Sequence, residues 1–157
     1  MKTNCVRTLL ALGFVLLAGL APLRAHAACS ASSVAGNWAY TYSGTIFTPG
    51  GALPAASVGH FFQDSAGNLS GSQTRSVAGS SGVEDISGTV SVNRNCTGTA
   101  TINVYVNGQL QRTATIALTY DSDTNHLRGI FEALTLPDGT GIPVVLTIDG
   151  NRQASKH

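Results

Sequence analysis

The chain has 157 residues, of which 11% are charged, and a formal net charge of +1. That length suits one ordinary domain. The charge balance supplies no basic surplus to hold phosphates, which argues against a nucleic-acid partner. With so few charges, Ser, Thr, Asn and Gln must form the water-facing surface.

Residues 1–27 read as a secretory leader. Lys2 and Arg7 give a positive start, Leu9 to Leu20 an apolar run, and Ala25-His26-Ala27 a small-x-small cleavage site. The apolar run is too short to span a bilayer. A lipid anchor on Cys29 would need Leu where His26 stands. Removing Lys2, Arg7 and Arg24 with the leader changes the net charge from +1 to −2. Cys29 and Cys96 then remain as an even pair in an oxidising compartment, where a disulfide is the expected state. The expected location is the periplasm or the extracellular space.

From Gly36 onward the chain alternates apolar and polar residues, with the period of a strand that has one dry and one wet face. Eight strands are predicted: Trp38 to Phe47, Ala55 to Gln63, Leu69 to Ala78, Val83 to Val92, Cys96 to Val106, Leu110 to Tyr120, His126 to Leu136 and Pro143 to Asp149. Asp64 to Asn68, Gly79 to Gly82, Asn93 to Asn95 and Asp121 to Asn125 are turns by composition. At Asn107-Gly108, a two-residue loop would set Val104 against Gln111 and mix the faces. A three-residue, bulged loop pairing Val104 with Leu110 and Ile102 with Arg112 is expected instead.

Short turns between eight antiparallel strands close an up-and-down barrel without edges; a two-sheet sandwich is the alternative. The outer parity carries Thr97, Thr99, Thr101, Asn103, Thr113 and Thr115, which lipid would reject, so no membrane insertion is expected after leader cleavage. The expected organisation is leader 1–27, an N-terminal segment 28–35 crossing the barrel base, the barrel over 36–150, and a tail over 151–157.

Counting up and down places Trp38, Gln63, Tyr120 and His126 at one end, the base. Ile46, Val77, Glu84 and Leu136 fall at the other, the mouth. Arg75, Glu84 and Arg112 stand on the dry parity in the mouth half, with Gln73 and Tyr42 nearby. Charges there are costly unless paired or solvated. They form a candidate cluster to orient an anionic or carbonyl-bearing ligand, or a rim that reaches water. On the first reading, Arg112→Ala weakens ligand binding with little loss of stability. His60 is a candidate acid–base group, with Glu132 as its partner in a narrow barrel. The chain has no metal-ligand spacing, Gly-x-Ser-x-Gly, P-loop or dinucleotide fingerprint, so no cofactor is expected.

Gly36-Asn37-Trp38, opening the first strand, resembles the Gly-x-Trp signature of lipocalins and related calycins. The resemblance implies that Trp38 closes the barrel base and that Arg152, just after the last strand, packs across its ring by a cation–π contact. The lipocalin helix after the last strand has no counterpart here. More broadly, the chain resembles small exported bacterial β-proteins of unassigned function. Three functions are compatible with these residues. One is a barrel binding a small, largely apolar ligand inside; another is a cyclase or isomerase in the same cavity; the third is a solid barrel acting through its surface. Gly71, Gly88, Gly98, Ala100 and Ala114 allow either a void or close packing.

Overall fold

The structure, a computed structural model, describes residues 28–154. The expected leader and the last three residues of the tail lie outside them. Eight strands follow one another: β1 (Gly36–Thr48), β2 (Gly51–Gln63), β3 (Asn68–Val77), β4 (Ser80–Val92), β5 (Thr97–Val106), β6 (Gln109–Tyr120), β7 (His126–Thr135) and β8 (Val144–Arg152). Each pairs antiparallel with the next, and β8 pairs back with β1, so the sheet is a closed barrel. The final strand runs to Arg152, where the sequence pattern ended it at Asp149.

One parity fills the interior. Trp38, Tyr40 and Tyr42 of β1, Ile86 and Val90 of β4, Ala100, Ile102 and Val104 of β5, and Ala114, Ile116, Leu118 and Tyr120 of β6 are all buried. Their outward neighbours are mostly Ser and Thr. This is the period-two division between oil and water that an antiparallel sheet with one dry face requires. Gly71 and Gly88 also sit on the inner parity, but they do not make the void. A Cβ on Gly71 would lie 2.1 Å from the His60 carbonyl oxygen, and one on Gly88 2.0 Å from that of Thr101. These glycines let neighbouring strands coil tightly together.

Two hairpins depart from the expected register, and both keep the charged residues of the dry parity inward. Val77 pairs with Ser80 across a tight Ala78-Gly79 turn, both residues at positive φ, where a turn over Gly79 to Gly82 was expected, so Glu84 lies opposite Gln73. The shift is even, so no side chain changes face. At Asn107-Gly108 the loop has two residues, both at positive φ, not the expected three. Tyr105 pairs with Leu110, and a bulge then sets Val104 against Arg112 and Ile102 against Ala114. The parity conflict is resolved within the strand, one step beyond the turn.

The base is closed by side chains and by the segment before β1. Ser30 to Val34 forms a single hydrogen-bonded turn. Val34 is fully buried, and its carbonyl accepts a hydrogen bond from Trp38 Nε1 at 3.0 Å. The Ser33 carbonyl accepts from Thr124 Oγ1 at 3.2 Å and from Arg152 Nη1 at 3.1 Å. Trp38 is stacked near Phe61, with centroids 6.1 Å apart, and meets Tyr120 edge-on at 5.8 Å. Arg152 does not make the expected cation–π contact among the described residues. It lies over Gly36, where a Cβ would come within 3.1 Å of its Nε, and donates to the Ser33 and Ala35 carbonyls. The Gly-x-Trp pattern therefore leaves room at Gly36 for this guanidinium.

Cys29 and Cys96 form a disulfide across 67 residues of sequence. Constraining a loop of that length in the unfolded chain is worth about 4 kcal/mol on the chain-entropy account. Urea unfolding with and without reductant should show a loss of that order. An unchanged midpoint on reduction would assign the hold on the base to the Val34, Trp38 and Arg152 contacts alone.

Candidate functional site

The interior contains a buried polar network built on Glu84. Its carboxylate, 3% exposed, is satisfied on both oxygens. Oε1 accepts from Arg75 Nε at 2.8 Å and from Arg112 Nη1 at 2.9 Å. Oε2 accepts from Gln73 Nε2 at 2.7 Å and from Arg112 Nη2. Gln73 Oε1 in turn accepts from the Tyr40 hydroxyl at 2.7 Å and from Ser57 Oγ at 3.3 Å. The network thus draws on β1, β2, β3, β4 and β6.

The electrostatics follow from burial and pairing. Burial pushes the Glu84 carboxyl upward, but the Arg112 guanidinium, Gln73 and Arg75 outweigh it and hold the group below the usual carboxylate range. Burial raises both Tyr40 and Tyr42, so each stays a neutral donor. Two arginines face one carboxylate, leaving one positive charge uncompensated within the cluster. Arg75 keeps its two terminal nitrogens free of this network and is 30% exposed at the mouth side.

Below the cluster lies a cavity of about 60 Å³. One water needs about 10–15 Å³ of such space. Its walls are largely aliphatic and aromatic, among them Ile102, Ile116, Leu118 and Leu134, while Gln73 and Arg112 border it on the polar side. Ala100 and Ala114 supply the room that the glycines do not. Tyr42 lines the cavity and meets Phe131 edge-on at 5.4 Å. Near this contact the β7–β8 ladder stops at Ile130 and Thr147. Above it, Glu132 is bulged out of the β6 pairing and Pro143 has no N–H to give.

Of the residues singled out from sequence, Tyr42, Gln73, Arg75, Glu84 and Arg112 come together. His60 and Glu132 do not: both are exposed on the outer parity, on β2 and β7, so they form no acid–base pair inside. His126 joins β7 to Asp149 at 2.9 Å and to Asp121 at 3.2 Å, outside the cavity. Tyr40, Ser57 and Tyr120 were not among the site residues that the sequence reading singled out. Ser57 stands on an inward parity beside Ala55, which was the available signal. Among the described residues no group of three or more His, Cys, Asp or Glu side chains converges to hold a metal ion. No helix among them is long and apolar enough to cross a membrane.

No protein-family model and no curated protein sequence matches the chain. Among solved structures, it is similar to the S-type phycobiliprotein lyase CPES from Guillardia theta, with 11% identity over 79% of this chain and 90% of that one and a TM-score of 0.41. It is also similar to Rv2717c from M. tuberculosis, with 13% identity over 78% of this chain and 94% of that one and a TM-score of 0.37. At these values the likenesses add nothing to what the strand pairing establishes.

Because Arg112 holds Glu84 through both oxygens, Arg112→Ala should cost about 3 kcal/mol by leaving a buried carboxylate under-paired. That departs from the mild effect expected from sequence. Arg75→Ala, at a half-exposed position, should cost about 1 kcal/mol or less. Glu84 titrates lower in the folded chain than unfolded, so its contribution is complete above the ordinary carboxylate range. It is lost as the pH falls through the lower, folded value. Urea midpoints taken from pH 6 down to pH 2 should therefore fall less steeply in Glu84→Gln than in the wild type, and parallel curves would contradict this.

Proposed function

We propose that the barrel binds a small, largely apolar ligand in its interior, oriented by an anionic or carbonyl head at the Arg75–Arg112 cluster. The observation that carries this reading is an apolar cavity bordered on one side by a cluster with more guanidinium than carboxylate charge. Such a combination suits a ligand whose body leaves water and whose head does not. Arg75 offers the free donors and Arg112 the buried positive field, while the base stands closed by Trp38 and Val34. The ligand therefore enters from the mouth.

The same reading takes the chain as a calycin-like, exported protein of the periplasm or extracellular space. Support comes from Gly36, Trp38 and Arg152 at the base, from the Cys29–Cys96 bond and from the leader pattern over residues 1–27. A cyclase or isomerase in this cavity would lack His60 and Glu132, which face solvent, and would find every Glu84 lone-pair direction already engaged.

Octanoate and 1-octanol make a matched test by calorimetric titration of the disulfide-intact protein. Octanoate should bind with a Kd on the order of 100 µM or tighter, well within the efficiency of small ligands. Octanol should bind at least about tenfold more weakly, and Arg75→Gln should remove most of that difference. Equal binding of acid and alcohol would remove the arginines from the site. No binding of either at millimolar concentration would count against an interior ligand of this kind.

A further inference from the structure

We infer that the Tyr120 hydroxyl is a second anchor at the cavity floor, which selects a linear medium-chain acid with a hydroxyl or carbonyl oxygen at its far end. This rests on the cavity being a ligand site. Tyr120 is 4% exposed and lines the same cavity as Arg112, yet among the described residues its hydroxyl has no hydrogen-bond partner. A buried hydroxyl without a partner is a standing cost to the fold, and Phe would fill the same space without it. The ring is held in place by its edge-on contact with Trp38, and its backbone N–H donates to the Cys96 carbonyl at 2.8 Å, next to the disulfide. The hydroxyl is thus a donor on a fixed ring that lines the cavity. Burial pushes its pKa up to about 12, so it keeps its proton at any physiological pH.

The spacing sets the shape of the ligand. Arg112 and Tyr120 stand on the same inward parity of β6, separated by Ala114, Ile116 and Leu118, all of which line the cavity. Eight residues of strand cover roughly 26 Å. Strand tilt of about 35–45° and the reach of the two side chains shorten the gap between guanidinium and phenol. What remains suits an extended chain rather than a single ring: eight carbons in the extended form cover roughly 9 Å, about a third of that strand length, and the hydrogen bonds at each end lengthen the span. The head oxygen accepts from the arginines, and the distal oxygen accepts from Tyr120.

The test compares octanoate with 8-hydroxyoctanoate on the wild type and on Tyr120→Phe. The hydroxy acid should bind Tyr120→Phe about tenfold more weakly than it binds the wild type. Octanoate should bind the variant as well or better, and thermal unfolding of the variant should not fall. An unchanged ratio of the two affinities overturns the inference while leaving octanoate binding, and the proposed function, intact. Binding of neither acid to the wild type overturns both. A crystal structure of the wild type with 8-hydroxyoctanoate gives a readout independent of the variant. The distal oxygen should lie within hydrogen-bond distance of Tyr120 Oη. A water retained on Tyr120 Oη in place of the distal oxygen would overturn the inference.

Discussion

A carboxylate inside an apolar barrel must be surrounded by donors, and Glu84 meets that demand by recruiting them from across the sheet. Arg75 and Gln73 come from β3 and Arg112 reaches over β5 from β6. Gln73 then requires acceptor-side partners of its own and takes Tyr40 and Ser57. Most of the barrel circumference is thereby committed to one arrangement near the mouth. A shift of any of these strands by one residue would turn a member of the network outward and leave a buried charge unpaired. Apolar packing alone tolerates many arrangements of similar volume, so the polar network is what singles out this one.

The two ends of the barrel are built on opposite principles. At the base the interior is filled and tied down by neutral contacts: stacked and edge-on aromatic rings, a plugged Val34, and carbonyls capped by Trp38, Thr124 and Arg152. At the mouth the interior side chains are charged and partly wet. The cavity lies between them, bounded below by Tyr120 and above by Gln73 and Arg112. The walls between these ends are largely aliphatic and aromatic.

Much of this was readable from residue order because face assignment depends only on parity. The hairpin errors at Ala78-Gly79 and Asn107-Gly108 left Arg75, Glu84 and Arg112 inward, and so these were found together; Leu110, expected opposite Val104, instead pairs with Tyr105 and is exposed. What pattern could not supply was pairing. Whether Arg112 serves a ligand or neutralises Glu84 depends on distances of a few ångströms across the interior. The glycines left the interior undecided for a related reason: a missing side chain reads the same whether the space is empty or taken by a neighbouring strand's carbonyl, as at Gly71 and Gly88. His60 drew notice for its chemistry, yet it occupies an outward position between two polar strands. Tyr120 was passed over because an aromatic ring at an inward strand end is ordinary. Only a search for its hydrogen-bond partner separates it from a packing residue.

The pairing of β1 with β8 joins Trp38 to Arg152 and Tyr42 to Ile148, and of the strand pairings it spans the longest stretch of sequence. Until β8 is in place, the nascent sheet is open, and β1 and β7 present unpaired edges able to recruit strands from other molecules. Such long-range closure is slow, since the ends must find each other before the contacts repay the lost chain entropy. The Cys29–Cys96 link binds the start of β1 to the start of β5 without waiting for the last third of the chain. Oxidation thereby shortens the interval during which the half-built sheet is vulnerable to aggregation, so the bond acts on the yield of folded protein as well as on its stability.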